Sequence, residues 1–170
     1  MDLERVFAFV APSVRDAACQ AAAQLERLGI RYALAGGLAV GAHGYVRATV
    51  DVDFLVGDEA FEHQGTLVTF KPGVPIQVGA IQIDYLSPAA LGPHLEEAIE
   101  APVRSQDLPV VSVEVLVYMK LAARRRKDLV DVVELLKAGA DENAVRAYLT
   151  AHAADLLPSF QVLAEEAAAD

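Results

Sequence analysis

Two aspartates beside a short apolar strand are the residues of this chain best suited to chemistry. Asp51 and Asp53 stand two positions apart in Val-Asp-Val-Asp-Phe-Leu-Val. A strand places alternate side chains on one face, so both carboxylates point the same way and repel each other unless a cation separates them. Hard cations such as Mg²⁺ bind oxygen ligands and leave positions open for water and phosphates. The pattern predicts a divalent-metal site at Asp51 and Asp53, with Asp84 joining from a nearby strand.

The alternative interpretation of the aspartate pair is two solvated side chains on an edge strand. A lone Asp-x-Asp is a weak signal, because surface strands and many glycosyltransferases also carry one. Aspartate is depleted in strands, however, and this strand is otherwise apolar. Upstream, Gly36 and Gly37 follow the apolar run Tyr32 to Ala35. Two glycines after a strand let the backbone approach a ligand with its amide hydrogens exposed, so we expect a phosphate cradle beside the carboxylates.

Three basic residues could contact the phosphates of a nucleotide. Lys120 and Arg124 lie one helical turn apart, which places them on one helix face as a triphosphate clamp or acceptor contact. Arg47, between the glycines and the aspartates, either contacts the nucleotide or forms a structural ion pair. The sequence favours neither alternative for Arg47.

Four of the chain's fourteen lysines and arginines form one run, residues 124–127. A solvated turn between two helices explains such a run without any ligand. We favour that interpretation for Arg125 and Arg126. Asp128 and Asp131, which follow the run, are expected to pair with nearby arginines.

Periodicity defines the elements that must position these residues. Strand patterns cover residues 30–35, 50–56, 67–70, 78–86 and 108–113. Helical patterns cover residues 3–10, 14–28, 38–43, 89–99, 115–124, 128–137 and 141–150. Residues 57–66 are expected to form a loop or a short helix. Strands and helices therefore share the first two thirds of the chain, and helices follow to its end.

The bulk composition limits the function classes. A length of 170 residues fits one domain, and an apolar fraction of 54% supplies a core. The net charge of −10 argues against an extended nucleic-acid footprint, although a local basic patch can still hold a nucleotide. Cys19 is the only cysteine, which excludes a disulfide and a cysteine zinc cluster, and we expect it in the core. The acidic N-terminus lacks a secretory signal and no apolar run reaches transmembrane length, so we expect a cytoplasmic protein without a membrane partner.

Linked motifs in this chain resemble one known superfamily. Gly36-Gly37, thirteen intervening residues and Asp51-Val-Asp53 resemble the signature of the polymerase-β-type nucleotidyltransferases. The stretch His43-Gly-Tyr-Val-Arg47-x-Thr49-x-Asp51 is similar to the branch of small bacterial members that includes abortive-infection toxins. The similarity continues in three further segments, Val110-Val-Ser-Val-Glu114, Met119-Lys120-Leu-Ala and Arg126-Lys127-Asp128-x-x-Asp131. It covers residues 30–137 and links several motifs, which is more specific than any one of them.

This resemblance implies both a fold and an activity. The implied fold is an α/β (α+β) nucleotidyltransferase fold, a small mixed β-sheet flanked by helices. Residues 1–112 would form the core and residues 113–170 a helical region packed on it. The implied activity is the transfer of a nucleoside monophosphate from an NTP, with Mg²⁺ or Mn²⁺ as cofactor. In such enzymes two carboxylates bind metal and a third helps to activate the acceptor, and Asp84 matches the third by position.

Other functions remain open from the sequence. A non-catalytic descendant would keep the fold and bind a partner, as an antitoxin-like protein does. A metal-dependent glycosyltransferase fits Asp-x-Asp, but the chain is short for that class and the glycine pair would be unexplained. For a nucleotidyltransferase, the acceptor could be a protein, a tRNA or a small molecule, and the resemblance to abortive-infection toxins implies a toxin–antitoxin setting.

Overall fold

A mixed β-sheet with helices on both faces organises the structure, a computed structural model that describes residues 1–106 and 108–169. The strands are β1 (Tyr32–Ala35), β2 (Val52–Val56), β3 (Phe61–Gln64), β4 (Leu67–Phe70), β5 (Gln77–Val78), β6 (Ile81–Leu86), β7 (Val103–Ser105) and β8 (Leu108–Val110). The helices are α1 (Leu3–Phe9), α2 (Pro12–Arg27), α3 (Gly36–Ala42), α4 (Pro88–Leu91), α5 (Leu95–Glu100), α6 (Val113–Ala123), α7 (Arg126–Lys137), α8 (Glu142–His152) and α9 (Leu157–Ala169).

Six of the strands form the main sheet, in the order β5-β6-β2-β1-β8-β7. Strand β1 is antiparallel to β2 and parallel to β8, and β2 is parallel to β6. The outer strands β5 and β7 are antiparallel to their neighbours. Strands β3 and β4 form a separate hairpin. The expected α/β class, with a mixed sheet flanked by helices, is confirmed.

Strands β1 and β2, at the centre of the sheet, are buried on both faces, and Asp53 of β2 is their one acidic residue. In β2, Val52, Phe54, Leu55 and Val56 are fully buried. The Tyr32 hydroxyl donates to Glu26 of α2 at 2.6 Å, and the Tyr32 ring contacts the Phe54 ring edge to face. Phe54 therefore faces α2, and Asp53, the next residue, faces the opposite side of the sheet.

On that opposite side lie α3 and α6. Helix α3 follows β1 without a loop and packs on β1 and β2. Helix α6 begins after Ser112, whose hydroxyl accepts from the amide of Val115, and packs on α3, α7 and α8. The helical region predicted over 113–170 starts at this helix, and its last residue, Asp170, lies outside the described part of the chain. In residues 1–106 and 108–169, no helix has both the length and the apolar character needed to cross a bilayer.

Some predicted element boundaries are wrong where polar residues or turns interrupt a pattern. The region 57–66 does contain a short helix, a 3-10 turn over Asp58–Ala60, but β3 follows it. The residues Glu62 to Gln64 hide this strand because their side chains are exposed and polar. The strand predicted over 78–86, with a bend at Gly79, is a hairpin, because at this glycine, with φ +59°, the chain reverses between β5 and β6. The helix predicted over 89–99 is divided into α4 and α5 at Gly92, where φ is +136°.

One strand was not predicted because of its length, and one further expectation fails because of helical phase. Strand β7 has three residues, too few for a period-two pattern to be visible. Cys19 is exposed, not buried, because the buried face of α2 is formed by other positions, namely Val14, Ala17, Ala18, Ala21, Ala22 and Leu25.

Candidate active site

A pocket lies between the face of the sheet opposite α2 and the helices α6 and α7, and we call it the carboxylate pocket. Its empty volume is about 840 Å³, open solvent at its mouth included. Its charged lining residues are Asp51, Asp53, Asp84, Asp128, Arg47, Lys120, Arg125 and Lys127. The remaining lining residues are Gly36, Gly37, Leu86, Leu91, Leu116, Met119, Ala122 and Ala123. The pocket thus combines an acidic floor, a basic rim and an apolar wall.

The carboxylates of the floor come from two neighbouring strands. Asp53 of β2 is paired in register with Asp84 of β6, and the two strands are parallel. Asp51 lies in a bend before β2, which begins at Val52 and not at Val50 as expected. The register of the sheet therefore brings Asp53 and Asp84 together, and the bend adds Asp51 to the same pocket.

The surroundings of Asp53 disfavour its negative charge. Burial raises the pKa of Asp53 to about 6, and the charges of Asp51 and Asp84 act in the same direction. The positive charges of Lys120 and Lys127 oppose this shift. A carboxyl in such surroundings is stabilised either by a proton or by a bound cation.

The three carboxylates have the chemistry of a divalent-metal site but not yet its placement. Within residues 1–106 and 108–169, no three His, Cys, Asp or Glu side chains stand close enough to hold an ion as they are placed. The chemistry of the donors fits Mg²⁺ or Mn²⁺ nonetheless, because three carboxylates supply hard oxygen ligands to one pocket. Coordination requires side-chain rotation, since Asp84 now accepts a hydrogen bond from the Gln82 amide at 2.8 Å.

The glycine pair makes room for side chains of this protein. A Cβ atom added to Gly36 would lie 2.0 Å from Oδ2 of Asp53, and Gly36 has a φ of +60°. A Cβ atom added to Gly37 would lie 2.5 Å from Oγ1 of Thr49. This hydroxyl is buried and has no hydrogen-bond partner in the described part of the chain. The close approach expected of the glycines is thus used by Asp53 and Thr49, and both glycines also line the pocket.

Five alternating charges on the opposite wall form what we call the ion-pair chain. Arg47 donates through Nε and Nη2 to the two carboxylate oxygens of Asp131, both at 2.7 Å. Lys120 Nζ lies 2.8 Å from Oδ2 of Asp131 and 2.9 Å from Oδ1 of Asp128. Arg125 Nε donates to Oδ2 of Asp128 at 2.7 Å. The expected pairing of Asp128 and Asp131 with arginines is confirmed, and Lys120 links the two pairs.

The ion-pair chain satisfies charges that are costly to bury. Asp128, Asp131 and Lys120 are buried. Burial alone raises the pKa of Asp131, but hydrogen bonds from Arg47 and Lys120 outweigh it and leave this pKa below its usual value. For Asp128 the bonds from Arg125 and Lys120 have the same effect on the pKa. Three cations then face two carboxylates, which leaves one net positive charge beside the acidic floor.

The basic residues expected to contact a nucleotide do not all reach this pocket. Arg47 and Lys120 line it, within the ion-pair chain. Arg124 does not, because α6 ends at Ala123 and Arg124 adopts a left-handed conformation with φ +56°. Its side chain lines a separate groove with Leu129 and Val162. The helical spacing to Lys120 therefore does not place Arg124 on the same face.

Sequence reasoning missed two basic residues of the pocket. Arg125, interpreted as part of a solvated turn, lines the pocket and pairs with Asp128, although its side chain is 63% exposed. Lys127, given no role, also lines the pocket. The i, i+3 spacing of Arg125 and Asp128 was the one sequence signal that could have identified Arg125.

Comparisons with known proteins add a distant structural likeness. No protein-family model matches this chain, and no curated protein matches it. A solved structure that is similar belongs to an antigenic nucleotidyltransferase-like protein from Paracoccidioides brasiliensis. The two chains are 16% identical over 89% of this chain and 93% of the other, with a TM-score of 0.47. Because this likeness is so distant, function is inferred from the residues of the pocket.

Replacing Asp53 with asparagine should stabilise the metal-free protein above neutral pH. The folded-state pKa of about 6 lies above the ordinary 3.8, so folding disfavours the ionised carboxylate of the wild type. At ~1.4 kcal/mol per pKa unit, we expect the free energy of unfolding to rise by about 1–3 kcal/mol near pH 8. The gain should shrink as pH falls through about 6 and vanish below about 4, where both states hold the proton. Urea unfolding with a chelator present, repeated across this pH range, measures the gain.

The matched control for this experiment is Asp16→Asn, on an exposed aspartate of α2 whose side chain is 56% exposed. This variant should show no pH-dependent gain. A gain in Asp53→Asn that stays constant with pH would contradict the raised pKa of Asp53.

Replacing Lys120 with methionine should destabilise the fold by about 3 kcal/mol or more, because two buried carboxylates lose the cation between them. Arg15→Met is the control, since it removes an exposed ion pair with Asp16 and should cost less than about 1 kcal/mol. Denaturant unfolding near pH 7 gives both values. Equal losses in the two variants would show that the ion-pair chain contributes no more than a surface pair.

Proposed function

We propose that this protein is a nucleotidyltransferase that moves a nucleoside monophosphate from an NTP to an acceptor, with Mg²⁺ or Mn²⁺ as cofactor. The observation that carries the proposal is the convergence of Asp51, Asp53 and Asp84 on one pocket, with basic side chains on its opposite wall. Metal-bound triphosphates require this combination, because carboxylates hold the cation and basic groups hold the phosphates. The sequence likeness to the polymerase-β-type superfamily supports the same activity.

The pocket offers a separate surface to each part of an NTP. Arg47 and Arg125 would contact the triphosphate at the basic rim, and the backbone at Gly36 and Gly37 would approach it from the end of β1. The apolar wall, formed by Leu91, Leu116 and Met119, suits the face of a base. In this proposal Lys120 holds Asp128 and Asp131 in place and thereby positions both arginines.

The transfer itself needs a proton acceptor beside the attacking oxygen. The hydroxyl oxygen of the acceptor forms a bond to the α-phosphorus of the NTP, the bond from that phosphorus to the bridging oxygen breaks, and pyrophosphate leaves. We assign Asp84 as the group that takes the hydroxyl proton, because it lies at the edge of the pocket nearest the outer strands. Asp51 and Asp53 would hold the divalent cation, which neutralises charge on the phosphates when bound.

A second candidate is a non-catalytic, antitoxin-like binding protein that keeps this fold. Two observations favour it. The carboxylates are not placed as a ready set of metal ligands, and the charge of Lys120 is already matched by two aspartates. In either case the likeness to abortive-infection proteins supports a role in a toxin–antitoxin pair.

Millimolar Mn²⁺ should raise the melting temperature of the wild-type protein, because only the folded state brings the carboxylates together. At a cation concentration 100-fold above Kd, we expect a rise of about 5 °C or more. The double variant Asp51→Asn, Asp53→Asn should lose the rise, and the exposed pair Asp16→Asn, Asp155→Asn should keep it. A wild-type melting temperature that ignores Mn²⁺, both with and without NTP, would remove the metal from the proposal.

Asp84→Asn should retain most affinity for metal–NTP and lose transfer by ~10²-fold or more, the scale of a general base. Calorimetry measures the affinity, and incubation with each labelled NTP and cell extract measures the transfer. Asp58→Asn, on an aspartate whose side chain is 71% exposed, is the control and should change neither quantity. Unchanged transfer in Asp84→Asn would show that this residue has no such role.

A further inference from the structure

A second cavity adjoins the carboxylate pocket, and Asp84 lines both. We call it the edge groove. It runs along the outer side of β6 toward the β3–β4 hairpin. Besides Asp84, its principal lining residues are Phe70, Ile76, Gln77, Gln82 and Tyr85. A molecule in the edge groove therefore reaches the carboxylate to which we assign the acceptor proton.

The edge groove exposes a strand edge that is only half covered. Strand β5 pairs with β6 at Gln82 and Ile81, and one further bond runs from the Ile83 amide to the Ile76 carbonyl at 3.1 Å. Beyond Ile83, no strand of the described chain lies on the outer side of β6. Backbone groups alternate in direction along a strand, so Tyr85 is the next residue whose N–H and C=O point outward.

The chain leaves this edge at Pro75. In a continued ladder Val74 would face Tyr85, but the Val74 amide donates to the Lys71 carbonyl at 3.2 Å, within a turn. The Pro75 carbonyl accepts a hydrogen bond from the Tyr85 hydroxyl on the face of the sheet. The outer edge of β6 from Asp84 to Leu86 thus remains available for pairing. An exposed strand edge of this kind is a template for an added extended peptide.

The chemistry of the edge groove suits a polypeptide and not a nucleic acid. All of its lining residues belong to the described part of the chain. None of them is lysine or arginine, and one, Asp84, carries a carboxyl group. A phosphodiester chain would meet no counter-charge there. Two apolar residues of its lining are exposed instead, Phe70 by 41% and Ile76 by 60%. Apolar exposure next to a free strand edge is typical of a protein contact.

We propose that the acceptor is a serine, threonine or tyrosine hydroxyl on an extended segment of another protein, which pairs with the outer edge of β6 at Tyr85. This inference rests on the proposed nucleotidyltransferase activity. Successive side chains of an added strand point to opposite faces, so a hydroxyl beside Asp84 places its two neighbours on the other face. That face carries Phe70, whose ring contacts the Tyr85 ring at 5.4 Å. The neighbours of the acceptor residue should therefore be apolar.

In this reaction the side-chain oxygen forms a bond to the α-phosphorus of the NTP, and the bond from that phosphorus to pyrophosphate breaks. The hydroxyl proton passes to Asp84. The product is a phosphodiester between the protein side chain and the nucleoside. Pyrophosphate leaves with the electron pair of the broken bond.

Short synthetic peptides test the proposal. The probes have a central Ser, Thr or Tyr flanked by Val, with matched peptides flanked by Asp and with Val-flanked peptides N-methylated on alternate backbone amides. We expect the Val-flanked peptides to bind, by fluorescence polarisation, and to be labelled from an α-labelled NTP with Mn²⁺. Binding and labelling should be weaker by at least ~10-fold for both modified peptides. The Asp-flanked peptides lose apolar contact, and the N-methylated peptides lose strand pairing. Hydrogen exchange at residues 83–86 should slow when the peptide binds.

The variant that isolates the edge groove is Ile76→Glu, on a residue that is 60% exposed. It should weaken peptide binding and labelling by ~10-fold or more and leave NTP affinity within about twofold. Val162→Glu, on an equally exposed apolar residue of α9, is the matched control and should change neither.

Several results would overturn the inference. One is that the N-methylated peptides bind as tightly as the unmodified ones, and another is that Ile76→Glu labels the peptides as well as the wild type does. A third is that RNA or a small molecule in extract is labelled while no protein is. A stable dimer that Ile76→Glu dissociates would assign the edge to a second copy of this chain. Peptide binding and hydrogen exchange are measured without NTP. If the protein binds the peptide but does not bind NTP, the proposed function is wrong and the docking site is not.

Discussion

The pairing of Asp53 with Asp84 across two parallel strands is the constraint on which the carboxylate pocket depends. Backbone hydrogen bonds and apolar packing fix this register, and neither depends on the charges of the two carboxylates. Phe54 and Leu55, beside Asp53, are fully buried, and burial of such a side chain stabilises the fold by about 1.5–3 kcal/mol. The packing of the core can therefore hold the like charges together at a cost of a few kcal/mol. Because this charge is not compensated within the pocket floor, a bound cation would stabilise it.

The ion-pair chain performs the complementary task on the opposite wall. Lys120 is its most buried cation and is matched on both sides, by Asp128 and by Asp131. The arginines at its two ends are more exposed, Arg47 by 25% and Arg125 by 63% of their side chains. A ligand phosphate would thus meet guanidinium groups, which bind phosphate oxygens in pairs, while the lysine fixes their spacing.

The parts of this structure that could be predicted from sequence are those with strong local patterns. The strand before Gly36 and the strand of Asp53 are nearly continuous apolar runs, because both of their faces are buried. The strand of Asp84 alternates apolar and polar residues, because it is only partly buried. Strand β4 was predicted with its bounds, residues 67–70, but its hairpin partner β3 was not, since Glu62, His63 and Gln64 are exposed and polar. The pairing of Arg47 with Asp131 joins residues 84 positions apart and depends on tertiary packing. Arg124 was misplaced because the left-handed end of α6 leaves no mark in residue spacing.

The two strand carboxylates are chemically alike, and the topology of the sheet gives them different access. Strand β2, which bears Asp53, is paired on both sides, with β1 and with β6. Strand β6, which bears Asp84, is paired with β2 from Ile83 to Leu86 but with β5 only at its first two residues. A second substrate can therefore approach Asp84 along the open edge of β6, whereas Asp53 can be reached only from within the carboxylate pocket. The division of roles proposed here, metal ligand for one carboxylate and proton acceptor for the other, follows from this difference in access.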